Sequence, residues 1–353
     1  MRFLTILLVI LTLAATAVAS KVIVLPYKGA IGPVAQLQLQ RAIEQAKEEL
    51  AEAVVIELDT PGGLLSTTRA MVKDILNSPV PIIVFVAPSG AHAGSAGVFL
   101  TMSAHVAAMA PGTNIGAAHP VNLGGGKADS IAGPMGDKVL NDAVAQIKTI
   151  AAQRERNVEW AERAVRQSVS ITETEAESLN VINTIAYNTV ELLRKIDGKS
   201  VKMTNGAVRI ITTHNTKIIH HEPGVTDELL NFLADPNVAY IFFALGFYGL
   251  LFELQNPGAI WPGVIGGLSL IFAFMSFQVL PVNLAGVMLI IIAFVLFILE
   301  VKIISKGAFT VGGIVALITG SLLLFDLPDD MPGINWAVIA GVVVSTVLFF
   351  VFV

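Results

Sequence analysis

The sequence predicts an α/β domain built on a mainly parallel sheet, followed by an all-α polytopic membrane domain. Three observations predict it: charge that almost ceases after Pro236, strand-like apolar runs without alternation, and repeated long apolar stretches near the end. The 353 residues are 54% hydrophobic and 14% charged, with a mean hydropathy of +0.73. Soluble proteins average about 25% charged residues, so part of this chain is built for lipid. Of 22 Lys and Arg and 27 Asp and Glu, only Glu253, Glu300, Lys302, Lys306, Asp326, Asp329 and Asp330 lie beyond Pro236.

The order of segments follows from polarity. Residues 1–19 place Arg2 before an apolar run that ends in Ala17-Val18-Ala19, the pattern of a secretory signal peptide cut after about Ala19. Residues 20–222 then form an exported domain, and 223–236 an amphipathic connector. The region 237–353 is a transmembrane domain of four to five spans, near 238–254, 259–280, 284–301, 308–325 and 335–353. Each approaches the roughly 20 residues that cross a hydrocarbon core, Glu253 making the first the weakest. From an exported start, the link after the third span is cytoplasmic, and it carries Lys302 and Lys306, the only basic residues of the tail. The acidic link from Asp326 to Asn335 falls outside. Both placements agree with the positive-inside rule. The expectation is a protein integral to the cytoplasmic membrane, with its α/β domain on the periplasmic side.

Inside the exported domain, Lys21–Pro26, Ala53–Leu58, Pro81–Val86 and His105–Met109 read as strands. Pro33–Leu50, Ser66–Leu76, Lys138–Arg156 and Val158–Gln167 read as helices. Apolar strands separated by helices point to a parallel sheet covered on both faces. A short β-type stretch follows over Val201–His221, and Asp227–Leu233 is an amphipathic helix leading to the membrane. The net charge of −5 and the lack of a basic run argue against nucleic acid. With no cysteine, disulfides, thiol catalysis and cysteine-rich metal sites are excluded. His220-His221 have no metal-ligand partner set and read as loop residues.

In such sheets chemistry gathers at the carboxyl ends of the strands. Asp59-Thr60-Pro61-Gly62-Gly63 follows the second strand. Its paired glycines suit a sharp turn that bares backbone N–H groups, as an oxyanion site requires, or a plain strand-to-helix turn. Ala93-Gly94-Ser95-Ala96-Gly97 follows the third strand and opens an apolar helix. It places a serine at a positive helix end, in the manner of a nucleophile elbow, although taken alone the segment reads first as an N-cap. Ala93 departs from the Gly-x-Ser-x-Gly pattern. Glycines 124–126 fit a lid better than a phosphate cradle.

These two segments, together with Met109-Ala110-Pro111-Gly112-Thr113-Asn114-Ile115-Gly116-Ala117-Ala118-His119-Pro120, resemble the NfeD family in its long form. In that form a ClpP-like serine protease domain, of the ClpP/crotonase-like α/β fold, is joined to a membrane region. The resemblance covers about Lys21 to Lys195 by motif, and the tail by architecture. It implies Ser95 as nucleophile and the N–H groups of Gly63 and Ala96 as the oxyanion hole. Lys138 is implied as general base, with His119 as the alternative. A lysine base must be neutral when it acts, which requires burial. The competing reading of Lys138 is a surface pair with Asp142 at i, i+4. His119 lies 24 residues after Ser95, but the position near Ser168 that would carry an orienting acid is serine. His92 adjoins the elbow and is expected to point away from Ser95. The resemblance further implies a stomatin-type (SPFH) membrane protein as substrate and partner, cleavage within apolar segments, a homo-oligomer and no cofactor. A non-catalytic membrane scaffold for SPFH proteins is the alternative function. An acyl-CoA enzyme of the crotonase type fits an exported domain poorly.

Overall fold

The computed structural model describes residues 20–120, 134–221, 224–256, 258, 260–303, 307–327 and 333–352. The leader expected over residues 1–19, glycines 124–126, Lys306, Asp329 and Asp330 lie outside them.

The chain enters on β1 (Lys21–Lys28) and turns into α1 (Pro33–Glu48). Pro33 opens the helix at a position where a backbone N–H would go unused. Val34, Ala35, Leu39, Ala42 and Ala46 recur at helical spacing and face the sheet. The unit repeats with β2 (Ala53–Asp59), α2 (Leu65–Asn77) and β3 (Ile82–Val86). Short β4 (His92–Gly94), α3 (Ala96–Ser103), β5 (Val106–Met109) and β6 (Asn114–Gly116) come next. The helices α4 (Pro134–Gln153) and α5 (Val158–Arg166) pack together, α5 being started by the Asn157 side chain, which accepts from the Trp160 N–H.

The domain closes with β7 (Ser170–Thr172), α6 (Glu173–Ser178), β8 (Thr184–Ile185) and α7 (Thr189–Ile196). Then come β9 (Ser200–Lys202), β10 (Val208–Ile210) and β11 (Lys217–His220). His220 is therefore a strand residue, where a loop was expected. Its pairing partner, Val24, is far away in sequence, and no local pattern marks that contact.

The six strands of the main sheet run in the order β11-β1-β2-β3-β5-β8, every pair parallel. Successive residues of β1 enter opposite cores. Ile23 and Leu25 join Leu39, Ile75 and Ile147 on one face, while Val22 and Val24 join Leu192, Leu193, Ile196 and Ile211 on the other. Both faces are covered, which is why the strands read as unbroken apolar runs. A small second sheet, β4-β6-β7, stands beyond the carboxyl edge. There β6 pairs parallel to β4 and antiparallel to β7.

From β11 the chain passes through α8 (Val225–Leu233) into α9 (Pro236–Gln255), which is capped by Asp235. Four more apolar helices follow: α10 (Ile260–Val279), α11 (Leu284–Lys302), α12 (Ala308–Leu322) and α13 (Trp336–Phe352). Pro236–Glu253 and Ile260–Val279 are long and apolar enough to cross a membrane, and the other apolar segments are shorter. Their outer faces carry Trp261, Ile265, Phe274 and Val315 in the open, as lipid-facing helices do. Polar side chains inside the bundle are paired. Tyr248 lies 2.5 Å from Thr346, and the Ser321 hydroxyl donates to Tyr240 at 2.6 Å.

Candidate active site

The turn after β2 and the segment opening α3 are joined backbone to backbone. Thr60 N–H donates to the His92 carbonyl at 2.7 Å, and Gly94 N–H returns to the Thr60 carbonyl at 2.9 Å. Asp59 supports the joint by accepting the His92 N–H at 3.1 Å. The fit leaves no room for side chains: a Cβ on Gly94 would stand 2.6 Å from the Pro61 carbonyl oxygen. The structure thus places the two sequence motifs side by side.

Gly63 is held at φ +155, where a Cβ would meet the Ile31 carbonyl oxygen at 2.2 Å. Its neighbours spend their polar groups on the chain after β1. Ile31 N–H donates to the Gly62 carbonyl at 2.7 Å, and Leu64 N–H donates to the Ile31 carbonyl at 2.9 Å. The Thr60 hydroxyl accepts the Gly62 N–H at 3.1 Å. Among the described residues the Gly63 N–H meets no acceptor, and neither does that of Ala96 in the first turn of α3. Two bare donors beside one half-buried serine are the parts an oxyanion site needs.

Ser95 has φ 47 and ψ −105, a backbone conformation that side-chain-bearing residues avoid. It is fixed there by its N–H, which donates to the Gly116 carbonyl at 3.1 Å, and by its carbonyl, which accepts from Val98 at 3.1 Å. Ser95 occupies the N-cap position of α3, but its hydroxyl makes no capping bond there. The strain, about 1–3 kcal/mol, persists because the surrounding hydrogen bonds over-determine it.

The far end of α3 is held by groups that sequence reasoning missed. Buried Arg156 donates from Nη1 to the carbonyls of Met102 at 2.7 Å and Ala104 at 2.8 Å, and Arg154 Nε donates to that of Ser103 at 2.8 Å. Burial pushes the Arg156 guanidinium down to about 9 and Arg154 to about 10. Burial, with these two cations nearby, pushes His105 down to about 3, so its imidazole is neutral and accepts the Ile82 N–H at 3.1 Å. Only the Arg154-x-Arg156 spacing after a long helix hints at this cap.

The two candidate bases sit differently. His119 donates from Nδ1 to the Val165 carbonyl at 3.0 Å, and Ala118 N–H to that of Ala164 at 2.9 Å, so this stretch is bound to α5. Lys138 is exposed on the first turns of α4. Among the described residues no hydrogen bond links it to Ser95. It does not pair with Asp142 either, whose carboxylate is taken by Arg69 of α2. His92 lies 2.6 Å from Asn114 Oδ1 through Nδ1, while its Nε2 leans over Gly94. The His221 ring is 2.7 Å from Gln45 Oε1.

A family model described as the NfeD1b N-terminal domain matches residues 21–217, and one described as the NfeD integral membrane domain matches 237–353. The chain is 37% identical over 328 residues to the membrane-bound protease PH1510 of Pyrococcus horikoshii, covering 92% of this chain and 74% of that protein. It is 26% identical over 283 residues to the membrane protein NfeD1b of Bacillus subtilis, covering 79% of this chain but only 60% of the relative. Among solved structures, a mutant of the 1510-N membrane-bound stomatin-specific protease in complex with a substrate peptide matches with TM-score 0.57 and 35% identity. The match covers 61% of this chain and 98% of that one. The 1510-N membrane protease specific for a stomatin homolog from Pyrococcus horikoshii matches with TM-score 0.53 and 33% identity, covering 61% and 99%.

Proposed function

Since the chain belongs to the NfeD family and is an integral membrane protein, we propose that it is a serine endopeptidase working at the membrane surface through Ser95 and Lys138. The observation that carries this reading is Ser95 itself: a strained serine whose hydroxyl, like the N–H groups of Gly63 and Ala96, makes no hydrogen bond among the described residues. Similarity to a stomatin-specific protease supports a stomatin-type membrane protein as substrate, and the proposal takes the cleaved bond to lie in an apolar segment.

In this reading Lys138 takes the proton from Ser95 Oγ as the oxygen attacks the scissile carbonyl. The oxyanion forms against Gly63 and Ala96 N–H, with the positive end of α3 behind it. Lys138 then protonates the departing amine, leaving an acyl-enzyme, and next activates the water that releases the acid. Two features favour Lys138 over His119 as base. Arg69 keeps Asp142 from occupying the lysine, and His119 is oriented by a carbonyl instead of a carboxylate. Export of the α/β domain to the periplasmic side and assembly into a homo-oligomer complete the proposal.

The exposed Lys138, without a hydrogen bond to Ser95 among the described residues, is the one observation that favours a non-catalytic scaffold for SPFH proteins. Labelling of the full chain in vesicles with a fluorophosphonate separates the two readings. Labelling that disappears in Ser95→Ala and collapses in Lys138→Ala supports the peptidase. Folded protein that never labels supports the scaffold.

A further inference from the structure

A cavity of about 320 Å³ lies where the α/β domain meets the apolar helices. It falls at the small end of ligand pockets, roughly 300–1,000 Å³. One wall is Tyr27, Ala30 and Leu64, and the facing wall is Ala234, Val279 and Leu280. The first wall adjoins the strand crossing that fixes Gly63. Ile31, between the lining residues Ala30 and Gly32, bridges Gly63, and Leu64 is the next residue along. The second wall belongs to the ends of helices that start or finish at the membrane boundary, α9 and α10 among them.

The lining decides what fits. Among the described residues it contains no lysine, arginine or histidine, and its one charged residue is Asp235. That carboxylate is committed to capping α9, accepting the Asn237 N–H at 2.7 Å. Asn237 Oδ1 in turn accepts the Asn335 N–H at 2.7 Å, and the Tyr27 hydroxyl donates to the Ala30 carbonyl at 2.6 Å. With these polar groups satisfied within the protein, the walls offer mostly apolar contact. A phosphate headgroup would find no cation there, which argues against lipid as the occupant.

We propose that this cavity binds the substrate chain itself, taking a bulky apolar side chain of an uncharged segment as that segment leaves the bilayer for the oxyanion strand at Gly63. The cavity would act as a juxtamembrane subsite, distinct from the cleft at Ser95, that selects substrates entering from the lipid side. It rests on the peptidase reading, and the test separates the two.

Because the chain has no cysteine, a single Ala234→Cys substitution gives a unique thiol for a benzophenone maleimide. The full-length protein is reconstituted in phosphatidylcholine vesicles and irradiated with a 20-residue Leu/Val/Phe peptide, or with a Ser/Gln control of equal length. Val279→Cys on the α10 side repeats the measurement should the first variant misfold. The expected result is a peptide adduct at both positions, with a yield about tenfold higher for the apolar peptide and displaced by excess unlabelled peptide. No adduct, equal yield with the control, or a phospholipid adduct that peptide does not displace overturns the proposal. Fluorophosphonate labelling of the unsubstituted protein is scored separately. An inert Ser95 alongside a peptide adduct removes the peptidase reading and leaves the cavity assignment standing.

Discussion

Gly94 and Thr60 are bound to each other at 2.9 Å, N–H to carbonyl, across 34 residues of sequence. That bond joins the turn that carries the Gly63 N–H to the turn that carries Ser95 and the Ala96 N–H.

Gly94→Ala puts a methyl group 2.6 Å from the Pro61 carbonyl oxygen and pries the two turns apart. Fluorophosphonate labelling of Ser95 should fall on the order of 100-fold, since small displacements of reacting groups cost that much. Thermal unfolding of the detergent-solubilised chain should drop by only a few degrees. A variant that labels at the normal rate contradicts the role given to this contact.

Gly63→Ala meets backbone, at 2.2 Å from the Ile31 carbonyl oxygen, in a conformation that L residues rarely adopt. The turn must rotate, and its N–H with it. The expected loss in kcat is about 10²–10³, the usual value for one oxyanion donor, with KM changed far less. Equal losses in kcat and binding would point to a collapsed groove.

Ser95→Gly should abolish labelling and yet raise stability. Glycine accepts φ 47 without the clash a Cβ brings, a gain of about 0.5–1 kcal/mol. Ser95→Ala removes the same hydroxyl without that relief, so its melting temperature should lie below that of the glycine variant.

Between neutral pH and pH 4.5, His105 should make the protein less stable. Its folded value is about 3 against the ordinary 6.5, so below 6.5 the unfolded chain takes up a proton that the folded chain refuses. The stability is fully present above 6.5 and is lost as pH falls towards 3, amounting to roughly 2–3 kcal/mol at pH 4.5. Melts of the wild type and of His105→Gln at pH 7 and 4.5 isolate this contribution. The variant should show a smaller acid-induced drop.

Arg69→Ala frees the Asp142 carboxylate on the helix turn that carries Lys138. An i, i+4 pair between them becomes available, so Ser95 labelling should slow several-fold. The double variant Arg69→Ala/Asp142→Asn should recover the rate. Because the original pair is largely exposed, stability should change by less than about 1 kcal/mol in either variant.

Much of the fold is readable from side-chain pattern. Val22 to Leu25 and Val54 to Ile56 are apolar at every step because both sides of the sheet are covered, and such runs announce parallel strands. The three-residue strands β4, β6 and β7 leave no such trace. They exist because Gly116 packs onto Val169 and Ser170, a contact set by tertiary placement. The candidate site divides in the same way. Glycines forced by close approach are visible as motifs, whereas Arg154 and Arg156 act on bare carbonyls that no residue type marks. The backbone of Ser95 likewise could not be foreseen, since a serine before an apolar helix ordinarily caps it.

The parallel pairing of β11 with β1 fixes the edge at which the chain leaves the sheet. In a parallel sheet every strand ends on the same edge, so the last strand leaves at the edge where Gly63 and Ser95 stand. From there only α8 separates it from the first apolar helix. The carboxyl edge of the sheet, where Gly63 stands, is thus the edge from which the chain runs into the apolar helices. Reversing that one strand would move the exit to the opposite edge, away from Gly63 and Ser95.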